Sequence, residues 1–220
     1  MSIAIYTAIF GNYDDLKPLP KMPGVDAFCF TDNPNIEADG WKTIVWNFAT
    51  PPTHPRMRAK WFRMYPNECL PEYRYTIWID ASFQVTDPFF AGWMMKYLGD
   101  NDLALFRHPD RNNIKDEVEA SRVMHKYAGH DMSSQIAHYR NLGYQDECGL
   151  FATGVLVRDY GNQRMVELGN SWWVENNAWT YQDQLSLPFL LWQMGITPNI
   201  IPGNIYLNEW LRWIPHQSAS

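Results

Sequence analysis

Apolar positions recur along this chain in two rhythms. Runs in which nearly every residue is apolar, "IAIYTAIF" (3–10), "AFCFTD" (27–32), "KTIVWNF" (42–48), "YTIWID" (75–80), "LALFRH" (103–108) and "GLFATGVLVRD" (149–159), have the length and the β-branched and aromatic content of buried strands. Between them apolar residues return every three or four positions. "HPRMRAKWFRMY" opens with Pro55 in the first turn, where a helix tolerates it, and "KDEVEASRVMHKYA" follows the capping residues Asn112 and Asn113. "QRMVELGNSWWVENN" and "QDQLSLPFLLWQMG", the second closed by Gly195, complete the helical set. Strands that alternate with helices predict an α/β sandwich around a mostly parallel sheet. No Gly/Ser linker, charge block or low-complexity run interrupts the 220 residues, so a single domain is expected.

Charge narrows the function classes. With 18 basic against 24 acidic side chains the net charge is -6, which argues against a general nucleic-acid binder, since such a protein carries a basic face. Cys29, Cys69 and Cys148 are odd in number and widely spaced, a pattern that suits neither a disulfide framework nor a zinc site. Reduced thiols and a cytoplasmic setting are the expectation. "MSIAIYTAIFGNYDD" lacks the basic region and the small-residue cleavage site of a signal peptide and reads as a first strand, and no segment reaches the length of a membrane span.

The first chemistry to emerge is at "WIDAS". Open α/β sheets bind ligands beyond the carboxyl ends of their strands, and Asp80 stands at such an end with Ser82 two residues on. Oxygens so placed suit a hard divalent ion, Mn²⁺ or Mg²⁺, held directly or through water, which would neutralise the phosphates of a nucleotide sugar. The arrangement resembles the Asp-x-Asp motif of GT-A glycosyltransferases. The competing reading is a turn in which both side chains bond their own backbone.

Six segments, "YTAIFGNYDDL", "CFTDNP", "RMRAKWFRMYPNECLPEYRYTIWIDASFQV", "FRHPDRNNIKDEVEASR", "GVLVRD" and "WWVENNAWTYQDQLSL", carry a wider resemblance. In this order they resemble the glycosyltransferase-like domain family of plant Golgi proteins of the ceramidase-named and mucilage-related type and of bacterial polysaccharide gene clusters. The likeness covers nearly the whole chain. It implies a GT-A-like fold, with residues 1–100 as the nucleotide-sugar half and 101–220 as the acceptor half, and transfer of a sugar, from a UDP-sugar first of all, to a hydroxyl of a saccharide or glycoconjugate. Two departures stand out: Asp80-Ala81-Ser82 replaces an expected Asp-Gly-polar triplet, and Gln182 stands where an Arg is expected before Asp183 and Gln184.

Further residues are read one by one from their positions. Thr7, Ala8, Gly11 and Tyr13 would form the turn that receives the nucleoside, with Gly11 permitting close backbone approach, and Asp32 ends a second strand where it can accept a hydrogen bond from base or ribose. Arg56, Lys60 and Arg63 share one helix face by spacing and, with Arg58, suit a diphosphate; a solvated basic face is the alternative. His108, Glu117 and Glu119 are read as sugar or acceptor contacts, and His216 as a third metal ligand beside Asp80 and Ser82. Asp183 and Gln184, in "DQLS", take a sugar-binding or catalytic role, against the alternative that "TYQD" is only a helix capping box. Trp172, Trp173, Trp179 and Trp192 read as core, and Trp210 and Trp213 as an acceptor lid. Two other functions compete: a non-catalytic carbohydrate- or nucleotide-binding module, and a phage-type transferase acting on modified DNA bases, which would need Lys115, Arg122 and Lys126 to extend the basic groove.

Overall fold

The structure is a computed structural model, and it describes residues 2–49, 52, 54–147 and 149–215. Seven strands form the central sheet: β1 (Ile3–Ile9), β2 (Val25–Thr31), β3 (Lys42–Val45), β4 (Tyr75–Ile79), β6 (Leu103–Arg107), β7 (Phe151–Asp159) and β8 (Asn199–Ile201), in the order β3-β2-β1-β4-β7-β6-β8. The pairings β1·β2, β1·β4, β2·β3 and β6·β8 are parallel; β7 alone runs against its neighbours β4 and β6. The expected mixed α/β architecture with a mostly parallel sheet is therefore present. The reversal of β7 has a consequence for the site: the start of β7 lies beside the end of β4, and the Asp80 N–H donates to Gly154 O at 2.8 Å.

Alternation along β4 divides the core. Trp78 faces the layer that holds Tyr6, Phe30, Phe62 and Trp172, while Ile77 and Ile79 face the opposite layer with Phe83, Phe90, Met94 and Trp210. The first layer is covered by helices α1 (Pro55–Met64), α4 (Ile114–Arg122), α5 (Met132–Asn141), α6 (Gln163–Ala178) and α7 (Asp183–Gln193). The second is covered by α3 (Phe90–Leu98) and by a two-stranded sheet of β5 (Phe83–Val85) and β9 (Leu211–Trp213). A short helix α2 (Pro66–Cys69) follows α1. Among the described residues no helix is long and apolar enough to cross a membrane.

Helix α1 carries Arg56, Lys60 and Arg63, and three features seat it. Pro55 occupies its first turn and the side chain of His54 caps it by accepting from the Arg56 N–H. Phe62, fully buried, stacks on Phe30 at 4.5 Å between ring centroids and on Phe10 at 5.5 Å. At its end the Arg63 carbonyl accepts a 2.6 Å hydrogen bond from the buried Arg158 of β7, a cation placed where the helix dipole favours one. Gly169 of α6 is required there, because a Cβ would stand 2.2 Å from Met64 O.

Candidate active site

A cleft of about 150 Å³ opens beyond the carboxyl ends of β1 and β4, lined among others by Tyr13, Arg56, Lys60, Arg63, Asp80 and Lys126. Its floor is a network of charges. Arg63 donates to both Asp80 and Asp183, and its guanidinium also lies 3.4 Å from Thr153 Oγ1 and 5.1 Å over the Trp78 ring. Lys60 pairs with the same Asp183 oxygen at 2.6 Å. The arginine and lysine spacing on α1 brings both cations to this floor. Arg56, one turn earlier, rises to the rim, where it donates to the Tyr13 hydroxyl at 3.1 Å and lies over the Tyr13 and Tyr181 rings.

Burial explains the electrostatics. Burial pushes the Lys60 ammonium down to about 8, and the neighbouring Asp183 carboxylate opposes that shift. For Asp183, burial alone would raise the carboxyl, but Lys60 and Arg63 outweigh it and hold the group below its ordinary value. Lys126 is lowered by burial and by Arg56 across the rim. The cleft thus concentrates positive charge, two members of which are anchored by Asp183.

Sequence-predicted residues divide by position. Ala8, Tyr13, Arg56, Lys60, Arg63 and Asp80 line the cleft. Gly11 and Asp32 meet one another: the Gly11 N–H donates to both carboxylate oxygens of Asp32 at 3.0 and 3.2 Å, and Arg58 lies 3.5 Å from the same carboxylate. Asp32 therefore ties down the loop after β1, where Gly11 has φ 67 and a Cβ would press on Pro55 at 3.1 Å. Thr7 is buried, 1% exposed, and its hydroxyl has no hydrogen-bond partner among the described residues.

Asp183 sits behind the cleft at 4% exposure, bound to Arg63 and Lys60, so it positions cations instead of facing a ligand. It is also not a capping-box member: Thr180 Oγ1 accepts from the Gln182 N–H, Gln182 is the N-cap and its side chain makes no capping bond, and the Asp183 carboxylate turns to α1. Gln184 donates to Phe151 O at 3.3 Å.

Glu117 and Glu119, two residues apart on α4, go to different places because a helix turns about 100° per residue. Glu117 is 1% exposed and accepts from Arg111 at 2.5 Å and Gln182 at 2.7 Å, with His108 3.7 Å away. Gln182 in turn accepts from the Tyr127 hydroxyl at 2.8 Å, so this buried relay fixes the turn that carries Lys126. Where an Arg is expected at 182, the amide bonds Glu117 and Tyr127 at once. His108 is lowered by burial, and its Nδ1 accepts from the N–H groups of Asp110 and Arg111, which makes it a loop organiser. Glu119 lies outside the cleft and pairs with Arg122 on the helix surface at 2.9 Å, which also takes Arg122 out of a continuous basic groove.

The fit of a divalent ion turns on Asp80. Its Oδ1 accepts from Arg63 and from Trp78 Nε1 at 2.8 Å, which leaves Oδ2. Ser82 is 5% exposed, and its carbonyl accepts from the Ile214 N–H. His216 lies outside the described residues. Among the described residues there is no group of three or more His, Cys, Asp or Glu side chains that would hold a metal, so Asp80 would give an ion one open carboxylate oxygen and further oxygens would come from the donor's phosphates.

Sequence reasoning had Lys126 only as an extension of a basic groove for DNA, and it missed Tyr127, Tyr181 and Thr153. Only the aromatic and basic composition of "MHKYA" hinted at Tyr127. The expected lid is also altered: Trp210 is 7% exposed and packs between Trp93 and Tyr97, whereas Trp213 is 46% exposed. Of the tryptophans expected in the core, Trp172 is buried and Trp192 is 39% exposed.

Known proteins share this sequence pattern. The TOD1/MUCI70 glycosyltransferase-like domain matches residues 29–214. The chain belongs to that family. Its matched region includes Asp32, all of α1, Asp80 and Asp183, while Thr7 to Tyr13 precede it. Among curated proteins the chain is similar to the "Probable hexosyltransferase MUCI70" of Arabidopsis thaliana, 24% identical over an alignment of 159 residues that covers 64% of this chain. That stretch spans 27% of the plant protein's length. A TOD1/MUCI70 domain is thus the glycosyltransferase-like unit to which the cationic cleft belongs.

Proposed function

We propose that this protein transfers a sugar from a nucleotide-linked donor, a UDP-sugar first of all, to a hydroxyl of a saccharide or glycoconjugate. The observation that carries this reading is the placement of Arg56, Lys60, Arg63 and Lys126 around one cleft at the carboxyl ends of β1 and β4. In the transfer, the bond from the anomeric carbon to the diphosphate breaks with its electron pair left on the phosphate oxygen, and a bond to the acceptor oxygen forms as the acceptor hydroxyl loses its proton. The growing charge on the departing diphosphate is the chief electrostatic demand, and preorganised cations meet it without rearrangement. Arg56 and Lys126 at the rim suit the diphosphate, Lys60 and Arg63 the oxygen nearest the bond that breaks, and the Tyr13 and Tyr181 rings offer faces to the base. Asp80 Oδ2, the oxygen that no described hydrogen bond reaches, is the one open to the acceptor hydroxyl or to an ion carried in with the donor.

The test is titration of the protein with UDP, UDP-glucose, UDP-galactose and UDP-N-acetylglucosamine, with Mn²⁺ and with chelator, followed by product analysis with saccharide acceptors. Binding with donor turnover supports the reading. Saccharide binding without nucleotide binding or turnover would assign the chain to a non-catalytic module. Binding that survives chelator attributes the charge to the side chains, and binding that disappears attributes it to an ion at Asp80.

A further inference from the structure

On the side of Asp80 away from α1, the chain from Asn204 to Leu211 is tied into a compact turn. The Tyr206 N–H donates to Asn204 Oδ1 at 2.8 Å, the Leu207 N–H to Asn204 O at 3.0 Å, and Asn208 Nδ2 to the carbonyls of Asn204 and Ile205 at 3.0 and 2.9 Å. Asn208 Oδ1 then accepts from the N–H groups of Trp210 and Leu211. This rigid frame presents Tyr206 at 44% exposure, and the ring of Trp213, 46% exposed, meets it edge to face at 5.4 Å. Beneath Tyr206, the buried Phe83 stacks in near-parallel fashion at 5.9 Å and 19°. Large aromatics held open to water by a hydrogen-bonded frame are not the product of a loose terminus.

The patch borders the reacting centre. Gly154 marks the spot: a Cβ there would stand 2.7 Å from Phe83, 3.3 Å from Ile205 and 3.5 Å from Asp80 Oδ2. The missing side chain lets the platform close on the open oxygen of Asp80. The Tyr206 hydroxyl is raised, by burial first and then by the charge of Asp80 among other carboxylates, while the residue as a whole stays 44% exposed.

We propose that Tyr206 and Trp213 form the acceptor subsite, stacking the apolar face of a neutral saccharide whose hydroxyls turn to Asp80. This rests on the glycosyl-transfer reading above and deepens it by naming the acceptor class. A pyranose presents a flat face of C–H groups rimmed by hydroxyls, which matches a ring platform bordered by a hydrogen-bonding carboxylate.

The experiment is saturation-transfer NMR and titration of the protein with methyl glycosides and short oligosaccharides of glucose, galactose, xylose and rhamnose, with UDP affinity measured in parallel. Tyr206→Ala is expected to weaken saccharide binding about tenfold, Trp213→Ala by less, and Tyr206→Phe to bind as the wild type does because the ring is kept. UDP affinity is expected to stay the same in each variant. If Tyr206→Ala melts early, Tyr206→Leu, which keeps an apolar cover over Phe83 but no ring, takes its place. Saccharide binding that is unchanged without the ring, or absent from the wild type, overturns the proposal. UDP binding with no saccharide binding sinks the platform alone, and saccharide binding with no nucleotide binding sinks the transferase reading alone.

Discussion

Asp80 stands between two surfaces of opposite construction. On one side, α1 delivers Lys60 and Arg63 to a buried lattice with Asp183, in which each charge exists because another compensates it. On the other, Tyr206 on its turn and Trp213 at the end of β9 keep their rings in water. The first surface is part of the fold's own energetics: taking these ions out of water is costly, and removing one partner leaves the other uncompensated. The second can lose a ring with little loss of stability. A lattice of the first kind is suited to meet the same charged leaving group every time, and a surface of the second kind is suited to vary with the acceptor.

The contrast can be broken most forcefully at Arg63. Arg63→Met leaves Asp183 paired with Lys60 and takes from Asp80 its ion-pair partner among the described residues, and unfolding in urea should show a loss of about 3–5 kcal/mol. A variant as stable as the parent would mean that the lattice is not a structural element. Next is Asp80→Asn, nearly isosteric, for which steady-state kinetics should show transfer slowed on the order of a hundredfold. Melting temperature should fall far less than in Arg63→Met, since Trp78 and Arg63 still find an oxygen at that position.

Lys60 gives a pH signature. Held near 8 by burial, it sheds its proton as pH rises through that value, so donor affinity should fall about tenfold per unit above pH 8, while Lys60→Arg should remove the decline. In the unfolded chain this ammonium keeps its proton to a higher pH, so between about 8 and its ordinary value the unfolded state binds more protons and Lys60's own contribution to stability rises with pH. A melting temperature that drops in step with affinity would show that the loss is unfolding and not deprotonation.

Smaller effects sharpen the edges of the comparison. Gly11→Ala forces a side chain into left-handed backbone and against Pro55, which should cost about 1–2 kcal/mol and loosen the Asp32-bound loop. Glu119→Ala should change stability by less than about 0.5 kcal/mol, since its partner Arg122 is solvent-exposed on the same helix.

Much of the fold was legible in the sequence, and the gaps have causes. Strands β1, β2, β4, β6 and β7 announce themselves as apolar runs, whereas β5, β8 and β9 are three residues each, too short for any period to register. The helix α3 is equally hidden, because "FAGWMMKYL" is apolar on nearly every position and lacks a side-chain cap. In the site, the spacing of Arg56, Lys60 and Arg63 was enough to place them on one face, and the strand-end rule was enough to place Asp80. Whether Asp183 capped a helix or held a cation lay beyond local spacing, since its partners are 120 and 123 residues away in sequence.

Sequence by itself determined the layered α/β fold, the membership in a glycosyltransferase-like family and the basic face of α1, because periodicity, strand-end position and motif order are properties of neighbours along the chain. Tertiary structure decided which charges meet. Only the packing of α1 against β7 and α6, made possible by Gly169 and Arg158, aims Arg63 at Asp80 and Asp183, and only the antiparallel return of β7 sets Gly154 beside Asp80 so that Ile205, in a turn some 50 residues further on, can pack at the same spot. Such contacts depend on distance in space, and pair energies that fall with separation and rise with burial carry no trace in local sequence.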